Sequence, residues 1–107
     1  MAFGGTVWTV SNARNVNAGF EAQVRETFEI LDSFLAQAGS DKTRLLSVQV
    51  ILADIEARDS FNELWCQWIG ADPAHWPQRA VYGAGLAPGL LIELIAVAAR
   101  PSGNTGS

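Results

Sequence analysis

The sequence predicts an α+β domain: a mixed sheet with two helices packed on one face, in the order β-α-β-α-β-β. Three observations predict it. Apolar residues recur at three- and four-residue steps between Phe20 and Ala38 and again between Phe61 and Ile69, the spacing of two amphipathic helices. Branched and aromatic residues gather in short runs before, between and after them. The last run, GLLIELIAVAA, is apolar on both faces around a single carboxylate, Glu93.

Phe3 to Val10 reads as the first strand, with Gly4-Gly5 punctuating its start, and Ser11 to Asn17 as a polar loop. The first helix runs from about Gly19 to Ala38. Phe20, Val24, Phe28, Leu31 and Leu35 form its stripe, and Gly39 supplies a left-handed stop. Thr43 to Ala53 is an interior strand, apolar on both sides at its centre. Ser60 and Glu63 have capping-box spacing for a second helix that carries Phe61, Leu64, Trp65, Trp68 and Ile69 and closes at Gly70. ADPAHWPQ is a loop stiffened by two prolines. Two further strands, around Arg79 to Gly85 and Gly89 to Ala99, are expected to form a hairpin through Leu86-Ala87-Pro88. Both faces of the last strand need cover. The helices supply one layer, and a partner subunit is the simplest source of the other.

The 107 residues fit one domain, residues 1–100, followed by a polar tail, 101–107, expected to be disordered. Seven basic residues face eleven acidic ones, a net charge of −4 that gives no reason to seek nucleic acid or an anionic membrane. Leu90 to Ala99 is too short to span a bilayer and contains Glu93. One cysteine, Cys66, excludes an intramolecular disulfide, and one Cys with one His cannot make an ordinary zinc site. With no signal segment at the start, the expected location is the cytoplasm.

Beyond Asp72 the only charged side chains are Arg79, Glu93 and Arg100. A carboxylate in mid-strand loses its water and needs a partner. Counting back from the expected turn puts Arg79 on a rung next to Glu93. That pair reads either as a structural ion pair or as a site where Arg79 grips a planar anion and Glu93 positions water or a proton. Spacing does not separate the two.

The stretches TRLLSVQVILADIEARDSFNELWCQWIG and PQRAVYGAGLAPGLLIELIAVAAR resemble the RidA/YjgF reactive-intermediate deaminase family, and AQAGSDKTRLLSV resembles its helix end and central strand. The similarity runs from Thr6 to Arg100. It is most specific at Asn62, at the PQR of Pro77 to Arg79, and at IELIAVAA; the seventeen-residue step from Asn62 to Arg79 also matches.

The resemblance implies a chorismate-mutase-like homotrimer with sites between subunits and no cofactor. It implies Arg79 as the clamp on a substrate carboxylate and Glu93 as the acid/base that orients water. Asn62 would lie near the pocket, with Ser11 from the early strand and the Val81 N–H as further substrate contacts. Active members hydrolyse enamines and imines, such as 2-aminoacrylate released by pyridoxal-phosphate enzymes, to 2-keto acids and ammonia. The chain looks like a divergent member with a shortened N-terminus. Most relatives carry a further strand and a tyrosine before the position of Phe3, while the one tyrosine here is Tyr82. SNAR stands where the family usually has Gly-Gln after its serine, and Val81 where it often has cysteine.

Three readings of function follow: an enamine/imine deaminase, a non-catalytic trimer that binds small carboxylate metabolites, and a protein-interaction module using the edge left open beside the first strand. Elsewhere the blander interpretations hold. His75 reads as a surface residue, Cys66 as a small packing residue, and Trp65 and Trp68 as core. Trp8 and Trp76 are candidates for a pocket or an interface. The Gly83/Gly85/Gly89 pattern is a hairpin and not a phosphate loop, because no helix follows it.

Overall fold

Four strands and two helices account for most of residues 5–100, the part of the chain that the computed structural model describes. They are β1 (Thr6–Asn12), α1 (Phe20–Gln37), β2 (Leu45–Leu52), α2 (Arg58–Ile69), β3 (Gln78–Gly83) and β4 (Ile92–Ala99). The expected strand start at Phe3 and the tail 101–107 lie outside the described residues.

The helices follow the periodicity closely. In α1, Val24, Leu31 and Leu35 are fully buried, and Gly39 ends the helix at φ +77°, where its N–H reaches the Ala36 carbonyl and the Ser40 N–H that of Leu35. The start of α2 differs from expectation. Asp54 accepts the Glu56 N–H at 3.0 Å and caps a single 3₁₀ turn, Ile55–Ala57, that runs directly into the helix at Arg58. Ser60 therefore sits inside the first turn of a helix already begun, and no Ser60–Glu63 capping box opens it. Among the described residues no helix is long and apolar enough to cross a membrane.

The sheet order is β1-β4-β2-β3. β4 runs antiparallel to both β1 and β2, while β3 is parallel to β2. This corrects the expected hairpin: β3 and β4 are not neighbours, and β2 lies between them. The reason is physical. A parallel partner requires a crossover, which α2 provides, so β3 emerges on the far side of β2. The remaining place beside β2 is interior, and it goes to the strand that is apolar on both faces.

Ile92, Leu94, Ala96 and Ala98 of β4 are completely buried against α1 and α2, with Phe61 and Trp65 filling the space above β2. The other face carries Glu93, Ile95 and Val97, and it has no second layer among the described residues. Opposite residues of paired strands share a face, so Trp8 and Val10 of β1 flank that patch through Val97 and Ile95. Trp8 is 66% exposed, Tyr82 40% and Val10 37%.

Candidate functional site

Arg79 is held by one hydrogen bond and three aromatic rings. Val81, two residues along β3, packs against the helix-side core, so strand alternation sends Arg79 the same way, toward α2. There its Nη1 donates to Asn62 Oδ1 at 2.8 Å. Its guanidinium carbon lies 5.1 Å from the Trp65 ring, 5.2 Å from Trp76 and 5.9 Å from Phe61, within cation–π range of all three. Trp76 is fixed in turn: its ring meets Trp65 edge-on at 6.0 Å, and its Nε1 donates to the Gly70 carbonyl at 2.7 Å. Burial lowers the guanidinium's pKa, opposed by the nearby Cys66 thiol. Arginine stays cationic through such a shift, so the result is a partly desolvated, oriented cation with donors to spare.

The backbone adds a further donor. The Ala84 N–H is directed at the Leu52 carbonyl of β2. Alternation then turns the N–H groups of Val81 and Arg79 outward, along the free edge of β3. An open depression of ≈ 420 Å³ runs between β2 and β3, lined by Ser47, Gln49, Gln78 and Ala80 of the uncovered face together with Val48 and Arg79. A carboxylate approaching the edge of β3 meets a guanidinium fork and a strand N–H that has no partner among the described residues.

Glu93 is elsewhere. Ile92 and Leu94 point into the helix-side core, so Glu93 projects from the opposite face, across from Asn12 of β1 and Ile51 of β2. Asn12 Nδ2 donates to its Oε1 at 3.3 Å. Arg79 and Glu93 are thus two strands apart, offset by three residues along β2 (Val48 against Ile51), and on opposite faces. The expected adjacent rungs depend on the hairpin and fall with it, and an ion pair between the two within one chain is excluded.

Ser11 is 2% exposed, faces the helices from β1, and its Oγ has no hydrogen-bond partner. β1 and β3 are the two outer strands, so Ser11 and Arg79 stand at opposite edges of the sheet. The fold therefore joins Asn62, Arg79 and Val81, and leaves Glu93 and Ser11 apart from them.

One contributor is not singled out by the sequence, and another is left between a pocket and an interface. Asn12 is the partner of Glu93, yet only the β1–β4 register reveals it. Trp76 is one of two tryptophans whose role the sequence leaves open, and its place three residues before Arg79 is the available signal. His75 is exposed on the surface with Asp72 Oδ2 at 3.5 Å. Among the described residues no three His, Cys, Asp or Glu side chains converge as a metal ion would need.

Comparison with known proteins gives the lineage. The family model described as Endoribonuclease L-PSP matches residues 2–100. A RutC family protein of Haemophilus influenzae is 34% identical over 77 residues, 71% of this chain and 65% of that protein, so the chain spans just under two thirds of that relative. The human protein named 2-iminobutanoate/2-iminopropanoate deaminase is 31% identical over 98 residues, covering 91% of this chain and 69% of that one. The crystal structure of a YjgF family member from Neisseria meningitidis superposes with a TM-score of 0.79 at 26% identity, over 90% of this chain and 80% of that one. A match along almost the entire described length, on the same mixed sheet and paired helices, leads to one conclusion: the chain belongs to the RidA/YjgF family.

Proposed function

We propose that this protein hydrolyses small carboxylate-bearing enamines and imines of the 2-aminoacrylate type to 2-keto acids and ammonia, at sites completed between the subunits of a cytoplasmic homotrimer. The observation that carries the reading is the Arg79 assembly. A guanidinium held by Asn62 and three aromatic rings, next to the outward Val81 N–H, matches the two oxygens of a carboxylate. The named activity of the human relative supports the substrate class.

The chemistry asks little more. An enamine tautomerises to its imine by moving a proton from nitrogen to carbon. Water then adds across C=N, the carbinolamine loses ammonia, and a ketone remains. Arg79 fixes the acid end of the substrate. Glu93 takes a proton from the attacking water and returns one to the departing nitrogen. Holding water and substrate together removes several kcal/mol of barrier, the order seen for oriented intramolecular reactions. No cofactor enters any step.

Because Arg79 and Glu93 leave opposite faces of one sheet, the site takes them from different copies. The uncovered face bearing Trp8, Val10 and Tyr82 supplies the surface on which copies meet. The net charge of −4 argues against the ribonuclease activity in the family's description, since RNA would be repelled.

The test is ammonia release from 2-aminoacrylate generated in situ, compared between the wild type and Arg79→Ala. Loss of the enzyme-dependent rate in the variant supports the assignment, and equal rates remove it. One observation favours a second reading, a trimer that binds carboxylate metabolites without turning them over: a single chain builds the clamp without the acid. That reading predicts that a 2-keto acid raises the melting temperature through Arg79 while no ammonia is released.

A further inference from the structure

Gln23, on the first turns of α1, is 0% exposed, and its amide is committed to backbone groups of two separate loops. Nε2 donates to the Ala18 carbonyl at 3.1 Å and to the Gly89 carbonyl at 2.9 Å, and Oε1 accepts the Leu91 N–H at 2.9 Å. Ala18 ends the loop that leaves β1 after Asn12. Gly89 and Leu91 lead into β4, with Leu91 two residues before Glu93. The Leu91 carbonyl is held from the other side by the Ala53 N–H at 3.0 Å, so the entry to β4 is pinned between α1 and the end of β2.

The two loops also touch directly. Gly89 has φ +80°, and a Cβ there would lie 3.0 Å from both the Cβ and the carbonyl oxygen of Val16. Their separation is therefore set by backbone contact and by one side chain bridging them. Glutamine suits such a bridge, because two N–H donors meet two carbonyls while one carbonyl meets an N–H. A glutamate would set a carboxylate oxygen against two carbonyl oxygens. A leucine would take this partner away from the Ala18 and Gly89 carbonyls and from the Leu91 N–H.

We propose that Gln23 is the positioning residue for Glu93 and Asn12: it fixes the two loops that deliver these side chains to the uncovered face, and so sets turnover while leaving carboxylate capture at Arg79 untouched. The turnover half of this assignment rests on the role given to Glu93 above. The separation of the two effects follows from the placement, because every side-chain hydrogen bond of Gln23 goes to the β1–α1 loop or the entry to β4, and none to β3 or α2.

The experiment uses the full chain with Gln23→Leu and, as a variant that keeps the volume and the acceptor, Gln23→Glu. Amide hydrogen exchange, steady-state ammonia release and the pyruvate-induced rise in melting temperature are measured on each. The expected pattern is exchange at Leu91 to Glu93 and at Asn12 faster by about tenfold or more, with Val48, Val50 and Ala84 unchanged. Meanwhile kcat falls by about ten- to a hundredfold, the order a small misplacement costs. KM stays within about twofold, and the pyruvate effect persists. Wild-type exchange at Leu91 in both variants would overturn the positioning role. So would an unchanged kcat beside accelerated exchange, or loss of the pyruvate effect with Arg79 intact. Should the wild type release no ammonia, the hydrolytic reading falls by itself, and the exchange pattern alone decides what Gln23 does.

Discussion

Arg79 and Glu93 project from opposite faces of the same sheet, with β2 between their strands. No side-chain rotation brings them together, so a site that uses both draws them from two copies. Mixing variants tests this. Arg79→Ala and Glu93→Gln are each expected to be inactive alone. In assemblies formed at random from equal amounts of the two, about a quarter of the inter-subunit sites carry both native residues. Co-expression should therefore restore about a quarter of wild-type ammonia release. No recovery in the mixed assemblies would mean that no site draws the two residues from different copies.

The clamp depends on shape as much as charge. Arg79→Lys keeps the cation but loses the planar fork that bonds Asn62 and lies among Trp65, Trp76 and Phe61. Pyruvate binding, followed by calorimetry, should weaken by about tenfold or more, equivalent to roughly 1.4 kcal/mol. Wild-type affinity in the lysine variant would show that a point charge suffices.

Trp76 links clamp and core. Trp76→Ala removes the edge-on contact with Trp65, worth about 0.5–1.5 kcal/mol beyond the buried area, and frees the Gly70 carbonyl. The urea midpoint should drop accordingly, and KM should rise more than kcat falls. Trp76→Phe, which retains a ring, should recover much of both.

One pH effect is expected outside the site. Asp41 accepts hydrogen bonds from the Thr43 hydroxyl and, at 2.8 Å, from the Thr43 N–H; these lower its carboxyl pKa from the ordinary 3.8, with Arg44 adding a smaller pull. A depressed carboxyl adds stability that is fully present above its unfolded value and lost as pH falls through its folded value. Asp41→Ala should thus be less stable than wild type near neutral pH. The gap between their denaturation midpoints should close as pH falls from the ordinary carboxyl value through the lowered folded one. A gap that stays constant to low pH would exclude the hydrogen-bonded carboxylate as its cause.

The helices and the interior character of β2 and β4 are legible in the sequence because periodicity and two-sided hydrophobicity are local properties of the chain. Strand order is not. Leu86-Ala87-Pro88 looks like a turn joining neighbours, and nothing near it records that β2 already occupies the place beside β3. The two-sided apolar pattern of β4 carries the clue, since such a strand belongs inside a sheet rather than at its rim. The site divides the same way. Asn62 and Arg79 lie close in sequence and meet across one crossover. Glu93 and Asn12 are 81 residues apart, and only the completed register pairs them. The second helix shows a smaller case, where Asp54 starts the turn before the Ser60–Glu63 pattern can act.

The strand that both β1 and β2 need as their partner is also the last of the four described strands in chain order. Until Ile92 to Ala99 has left the ribosome, β1 has nothing to pair with, and the nascent chain holds only a two-stranded parallel fragment beneath α2. Such a fragment exposes unpaired edges and apolar surface. The middle of the sheet therefore stays empty until Ile92–Ala99 enters it, and a chain stalled before Ile92 should be far more open to proteases than one stalled after Ala99.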